Sequence, residues 1–97
     1  MTWITVEHNP SPMKLDVLDV EGWPVWSKEV STFEWTYDST EICYILEGEA
    51  IVTPDGGEPV TIRAYDLVNF SAGLRCTWQV TEPITKHYIM KPTHAPE

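Results

Sequence analysis

Glu41 is the side chain in this sequence with the clearest potential for acid–base chemistry. It stands at the head of an apolar segment, directly after a polar turn at residues 38–40. Two aromatic residues of the preceding segment, Trp35 and Tyr37, share one face of an alternating pattern that ends at this turn. A carboxyl group among aromatic rings could act as a general acid or base near neutral pH, and Tyr37 could donate a hydrogen bond. We therefore predict Glu41 and Tyr37 as candidate catalytic residues.

A ligand pocket is predicted around this carboxylate. Because side chains on a strand alternate between its two faces, Cys43 shares the face of Glu41. Two tryptophans of the predicted pocket could stack on a flat or cationic ligand. The side chains expected to line the pocket are Trp35, Cys43, Cys76, Trp78, Lys86 and Tyr88.

The reactivity of the thiols depends on charges near them. A reactive thiolate needs a nearby positive charge, and Arg75 points to the face opposite Cys76. Lys86 could take this role if it faces inward. The alternation of the last segment leaves that open, because Lys86 and Tyr88 lie on one side and His87 on the other. We favour a small core residue as the role of Cys76.

The predicted strands that must position these residues are short and closely spaced. Alternating or apolar segments recur along the chain between turns rich in Gly, Pro and Asp, and no helical period of useful length is present. This pattern predicts an all-β sandwich or barrel. The expected strands cover residues 3–6, 15–20, 33–37, 41–53, 60–64, 67–70, 74–80 and 84–90, with an irregular segment around Trp23 and Trp26 and a strand end at residues 82–83.

Length, charge and cysteine content narrow the functional class. The 97 residues suit one small domain, and the formal net charge of −9 argues against nucleic acid or an anionic membrane as partner. Two cysteines and no apparent signal peptide or transmembrane-length apolar run predict a cytoplasmic protein with reduced thiols. Because small β-barrels can hide an edge strand by pairing, we expect a monomer or a homodimer.

Several separated motifs resemble those of one family, in the same order. Residues 44–50 resemble the "Y-V-L-E-G" hallmark of the cupins, and residues 66–73 resemble their "G-D-x-v-x-f-P-A-G" segment. With residues 75–78 and 86–88, the chain looks like the small single-domain cupins (RmlC-like) related to the ureidoglycine aminohydrolase cupin domain and the ethanolamine-utilisation cupin. The resemblance implies an all-β double-stranded β-helix, a jelly-roll cupin barrel with a pocket at one end.

The resemblance also implies an organisation of the chain. We expect N-terminal strands and an irregular arm over residues 1–22, the cupin barrel over residues 23–90 and a frayed tail over residues 91–97. Two turn positions depart from the family pattern. Tyr65 stands where the family usually has Gly, and Ser71 stands where it often has Pro.

Metal-binding cupins carry two His, a Glu and a further His at positions that this sequence fills differently. Carried over by the resemblance, the His pair falls on Trp35 and Tyr37, the Glu on Glu41 and the last His on Cys76. A catalytic metal needs about three protein ligands, and Trp cannot ligate. We therefore expect no metal and no cofactor. The three histidines of the chain, His8, His87 and His94, do not supply the missing ligands.

These observations predict a small-molecule-binding β-barrel with an aromatic, Glu-containing pocket. Two alternatives stay open. The first is a ureidoglycine-aminohydrolase-like or other acid–base enzyme that uses Glu41, against which the missing His pair counts. The second is a structural or dimerisation barrel in which large aromatic side chains fill the former metal cavity.

Overall fold

The structure, a computed structural model, describes residues 3–91. Seven strands account for most of this range, together with one short α-helix and a single 3-10 turn at Val20–Gly22. In chain order the elements are β1 (Ile4–His8), α1 (Pro12–Val17), β2 (Val25–Lys28), β3 (Ser31–Thr36), β4 (Thr40–Pro54), β5 (Val60–Arg63), β6 (Asp66–Phe70) and β7 (Arg75–Lys91).

The strands form the all-β jelly-roll barrel that the sequence predicted. All strand pairs are antiparallel, in the order β1-β6-β4-β7-β2, with β3 also paired to β7 and β5 to β4. The two long strands β4 and β7 pair with each other from Thr40↔Lys91 to Pro54↔Cys76. Every shorter strand except β1 pairs with one of these two. They are therefore the framework that sets the position of the site.

A bulge bends the two long strands against each other. The register of β4 against β7 shifts between Ile45 and Ala50, and Gly48 lies there with a φ of 92°. A Cβ at Gly48 would come within 2.1 Å of the carbonyl oxygen of Pro83, so only glycine fits. The predicted strand end at residues 82–83 was wrong, because β7 continues through Pro83 at this bulge, where a ladder hydrogen bond is not required.

Two hydrophobic clusters lie on the two faces of the sheet. The larger one fills the barrel, and its aromatic members are in direct contact, with ring centroids 4.7 Å apart for Tyr37 and Phe70 and 5.7 Å apart for Phe70 and Trp78. The smaller cluster covers the outer face and consists of Val20, Trp23, Ile42 and Leu67, with Leu15, Leu18, Tyr44 and Ile89 packed against it. The interior of the barrel is thus largely filled with side chains.

The segment at residues 15–20 is not the predicted strand. It is mostly helical, because Ser11 Oγ accepts a hydrogen bond from the backbone N–H of Lys14 and Pro12 occupies the first turn, both favourable at a helix N-terminus. Local capping therefore decided the conformation where the hydrophobic period was too short to indicate it. Leu15 and Leu18 place this segment on the outer cluster.

The segment around Trp23 and Trp26 is more regular than expected. Trp23 is buried in the outer cluster, whereas Trp26 belongs to β2 and lies opposite Lys86 of β7. No helix within residues 3–91 is long and apolar enough to cross a membrane. Of the predicted frayed tail, Lys91 belongs to β7 and the remaining residues lie outside the described range.

Candidate functional site

A cleft of about 190 Å³ opens at one end of the barrel. Its inner wall contains the carboxylate of Glu41, and its rim includes Trp35 and Met90, which are 48% and 46% exposed. The strands β2, β3, β4 and β7 all contribute to it. The residues lining the cleft are Trp26, Phe33, Trp35, Tyr37, Glu41, Trp78, Lys86, Tyr88 and Met90.

A buried ion pair lies at the bottom of the cleft. Lys86 Nζ is 2.7 Å from Glu41 Oε2, and the two residues are 5% and 4% exposed. Glu41 begins β4 and Lys86 lies in the middle of β7, opposite Ile45. The long, flexible stem of a lysine allows its ammonium group to reach along the barrel to the carboxylate. The two charges compensate each other, which a buried charge requires.

Three aromatic rings surround the ammonium group. Lys86 Nζ lies 4.8 Å from the ring centroids of both Trp26 and Trp78, and 5.9 Å from that of Phe70. A cation within about 6 Å of a ring face is attracted by the ring quadrupole, most strongly over Trp. Lys86 is thus held by one carboxylate and an aromatic cage.

One oxygen of Glu41 has no donor within the part of the chain that the structure describes. Among residues 3–91 the side chain of Glu41 makes a single hydrogen bond, through Oε2 to Lys86. Every fully buried side-chain nitrogen or oxygen in that range has a partner. Because Oε1 has none, it is not fully buried, and since Glu41 lines the cleft, Oε1 faces the cleft. The cleft therefore offers a carboxylate acceptor beside an ammonium donor.

Tyr37 adds a neutral hydroxyl to the wall. Its oxygen accepts a hydrogen bond of 3.1 Å from Trp78 Nε1–H. Burial raises the pKa of Tyr37 above its ordinary value, and the charge of Glu41 adds to this effect, so the phenol stays protonated. Its role as a hydrogen-bond donor in catalysis stays a prediction.

The two thiols do not line the cleft, contrary to the predicted pocket. Cys43 and Cys76 both belong to the core cluster, and Cys76 Sγ lies 3.7 Å from the carbonyl oxygen of Trp35. Burial raises the pKa of Cys43 to about 12 and that of Cys76 to about 11. Both are therefore thiols and not nucleophilic thiolates at neutral pH.

Lys86 and Tyr88 of β7 point towards the barrel interior, so theirs is the inward face of the last strand. His87 points to the outer face, where its Nδ1 donates to the carbonyl oxygen of Trp23 at 2.9 Å. His8 pairs with Asp66 on the β1–β6 side of the barrel, at 2.6 Å. His94 lies outside the described residues.

The donors at the implied metal positions do not fit a metal ion. Within residues 3–91 no group of three His, Cys, Asp or Glu side chains is close enough to hold one. Glu41, the one carboxylate at those positions, already has the ammonium group of Lys86 against Oε2. The position that a cation would take beside Glu41 is thus occupied by a cation of the chain itself.

Three cleft residues escaped the sequence analysis: Trp26, Phe33 and Met90. Phe33 could have been found, because it shares the alternating face of Trp35 and Tyr37. Trp26 could not, because its position over Lys86 depends on the pairing of β2 with β7. Met90 depends in the same way on the facing of β7.

Comparisons with known proteins place this geometry in a family. The model of the EutQ-like cupin domain matches residues 15–88. A DUF861 family protein from Thermotoga maritima is 50% identical, covering 92% of this chain and 100% of its own, with a TM-score of 0.89. No curated protein matches the chain.

Two more distant structures share the fold. The EutQ protein of Clostridium difficile is 18% identical, with 97% of this chain and 71% of its own covered and a TM-score of 0.66. A DUF861 family protein from Pseudomonas syringae is 23% identical, with 66% and 28% covered and a TM-score of 0.60. At these identities the likeness concerns the fold alone.

Proposed function

The chain belongs to the EutQ-like cupin family, and we propose that it binds a small molecule with a flat or apolar body in the cleft above Glu41 and Lys86. One observation carries this proposal: the cleft is open to solvent and reaches a buried ion pair, and one carboxylate oxygen of that pair has no partner among residues 3–91. An ion pair that served only to stabilise the barrel would gain nothing from an open, aromatic-lined approach.

The size of the cleft limits the ligand. An apolar cavity of about 150 Å³ accommodates a benzene molecule, and this cleft measures about 190 Å³. We therefore expect a ligand of roughly ten non-hydrogen atoms or fewer, below the range of about 300–1,000 Å³ that is typical of drug-sized ligands.

The lining of the cleft indicates how such a ligand would be held. Aromatic rings at its rim and wall, among them Trp35 and Tyr88, provide flat apolar surfaces. At the inner end, Glu41 Oε1 accepts and Lys86 Nζ donates hydrogen bonds, which would fix the orientation of a polar group. A few convergent polar groups within an apolar lining are typical of ligand sites.

Acid–base catalysis is a second candidate, supported by the exposure of Glu41 Oε1 to the cleft. A carboxylate within hydrogen-bond reach of a bound ligand could move a proton. In that case Glu41→Gln would abolish turnover and leave the affinity for a non-reactive analogue within a few fold of the original. A binding protein without catalysis would show no turnover in either form. An aminohydrolase-like activity is one version of this candidate.

Tryptophan fluorescence tests the binding proposal directly, because Trp26, Trp35 and Trp78 line the cleft. A panel of small aromatic and aliphatic metabolites is titrated against the protein, and we expect at least one to change the emission saturably. Trp35→Ala should then weaken the binding of that ligand by about 0.5–1.5 kcal/mol, the range for the interaction of an aromatic pair.

Trp3→Ala is the matched control, because Trp3 is similarly exposed, at 54%, and does not line the cleft. It should leave the affinity unchanged. If no compound of the panel binds, or if Trp3→Ala and Trp35→Ala weaken binding equally, the cleft is not a ligand site and the filled structural barrel becomes the better description.

A further inference from the structure

We propose that Lys86 captures small aldehydes and ketones covalently, as a reversible iminium. The proposal rests on the cleft being a binding site and names the chemical class of its ligand. Among the four lysines of the chain, Lys86 alone lines the cleft, whereas Lys14, Lys28 and Lys91 are exposed at the surface. Lysine amines are the side chains that form Schiff bases with carbonyl compounds in proteins.

The partner of Lys86 makes the chemistry feasible. An ammonium group cannot attack a carbonyl carbon, so it must first lose a proton. Glu41 Oε2 lies 2.7 Å from Lys86 Nζ, within the distance at which a base abstracts a proton directly. Because the carboxylate belongs to the same buried pair, the proton moves between two neighbours and does not need to leave the site.

Iminium formation needs only Lys86, Glu41 and the carbonyl compound. Lys86 transfers one proton to Glu41, and its free amine forms a C–N bond to the carbonyl carbon. The resulting alkoxide takes a second proton from the nitrogen and becomes the hydroxyl of a carbinolamine. Glu41 returns its proton to that hydroxyl, the C–O bond breaks and water leaves. The product is an iminium cation facing the ionised Glu41, and hydrolysis reverses the sequence.

The surroundings of Nζ suit the product as well as the starting ammonium. Both carry one positive charge on the same nitrogen, so the pairing with Glu41 is kept. The rings of Trp26 and Trp78, each 4.8 Å from Nζ, face a planar iminium as readily as an ammonium. Capture therefore does not leave an unpaired charge in the core, which is the main cost of modifying a buried ion pair.

The cleft also selects among carbonyl compounds. Its volume of about 190 Å³ and its aromatic lining favour a small apolar or aromatic aldehyde. An open-chain sugar would place several hydroxyl groups against rings that cannot hydrogen-bond with them, at a cost for each unpaired group. We thus expect benzaldehyde to react faster than glyceraldehyde at Lys86.

Reductive trapping tests the proposal on the intact wild-type protein. The chain is incubated at neutral pH with a substoichiometric amount of benzaldehyde and cyanoborohydride, digested and mapped by mass spectrometry. We expect the benzyl adduct on Lys86 to exceed that on any of Lys14, Lys28 and Lys91 by at least about tenfold. Glu41→Gln should slow the labelling of Lys86 by about 100-fold, the lower range for a general base.

Lys86→Arg keeps the positive charge and cannot form the adduct, so it should lose the selective labelling and remain folded. Preferential labelling of the exposed lysines in the wild type would overturn the proposal. Binding of benzyl alcohol, measured by tryptophan fluorescence, separates the two inferences. If the alcohol binds and Lys86 is not labelled, the cleft is a ligand site without covalent capture. If neither occurs, the proposed function fails as well.

Discussion

Glu41 and Asp66 are both buried carboxylates, 4% and 2% exposed, but their neighbours differ. Both oxygens of Asp66 are occupied, because Oδ2 accepts the backbone N–H of Arg63 at 3.0 Å and Oδ1 pairs with His8 at 2.6 Å. Glu41 uses one oxygen for Lys86 and presents the other to a cleft. A fully satisfied carboxylate fixes a turn and an edge strand, whereas a half-satisfied one is available to a ligand.

The two carboxylates also differ in the strands that hold them and their partners. Asp66 closes the tight connection between β5 and β6 by accepting from the backbone N–H of Arg63, and its pair with His8 ties the edge strand β1 to that connection. The partner of Glu41 is Lys86, which points from the long strand β7 into the barrel. The first arrangement holds a turn and the edge strand β1 in place. The second depends on the closure of the barrel, and it is the one that forms a cavity.

Among these variants, those that break the ion pair between Glu41 and Lys86 should lower the unfolding free energy most. Lys86→Met removes the ammonium group and leaves Glu41 buried and unpaired, which we expect to cost about 3–5 kcal/mol of unfolding free energy. The double variant Glu41→Met with Lys86→Met should recover most of this loss, because neither charge then remains in the core. Urea denaturation of the single and double variants measures both. A double variant no more stable than Lys86→Met would contradict a charge-pairing origin.

Disruption of the Asp66 turn should lower the unfolding free energy by a smaller amount and leave ligand binding in the cleft unchanged. Asp66→Ala leaves the part-buried backbone N–H of Arg63 without its acceptor and frees His8, at a cost of about 1–3 kcal/mol. Asp66→Asn retains an acceptor and should cost less. Ligand affinity at the cleft, measured by tryptophan fluorescence, should be unchanged in both. A loss of affinity in a folded Asp66 variant would mean that the two regions are coupled.

The pKa of the Cys43 thiol responds to the charges of both carboxylates. Burial raises the pKa of this thiol to about 12, with smaller contributions from Glu41 and Asp66, against the lowering effect of Lys86. The unfolded thiol ionises near its ordinary value of 9.0, so between pH 9 and 12 ionisation favours the unfolded chain and stability should fall. This part of the pH dependence should be absent from Cys43→Ala in urea titrations.

At neutral pH the same shift predicts slow alkylation. Iodoacetamide should modify Cys43 and Cys76 at least about 100-fold more slowly in the folded protein than in urea, because both are protonated and buried. Rapid modification of either thiol in the folded protein would show that the core opens on the time scale of the experiment.

The smallest expected change in unfolding free energy concerns Tyr65, the residue before Asp66. Its φ of 74° lies in the left-handed region, where a residue with a Cβ is strained by about 1–2 kcal/mol. Tyr65→Gly should therefore raise the unfolding free energy by about 0.5–1 kcal/mol, after the greater flexibility of glycine in the unfolded chain is deducted. Tyr65→Ala keeps the Cβ and should show no such gain. Thermal denaturation of the two variants distinguishes strain from lost side-chain contacts.

Several parts of the fold followed from local patterns in the sequence. The strict alternation of residues 74–80 predicted the first half of β7, and the motif at residues 44–50 pointed to the cupin barrel that the fold and the family match both support. The helix α1 was missed because six residues are too few to show a helical period, although its cap and its proline were present in the sequence. Short elements are decided by their ends and by the surface on which they pack.

The sequence by itself determined the residue types of the site: a carboxylate after a turn, aromatic residues on one face of a strand and an acidic overall charge. Only the tertiary structure decided that Lys86 faces inward, that Trp26 lies over it and that Glu41 pairs with it. The physical reason is that a shift of one residue in strand register turns every side chain to the opposite face. The register of β7 depends on the bulge at Gly48 and on barrel closure, which no local pattern of residues specifies.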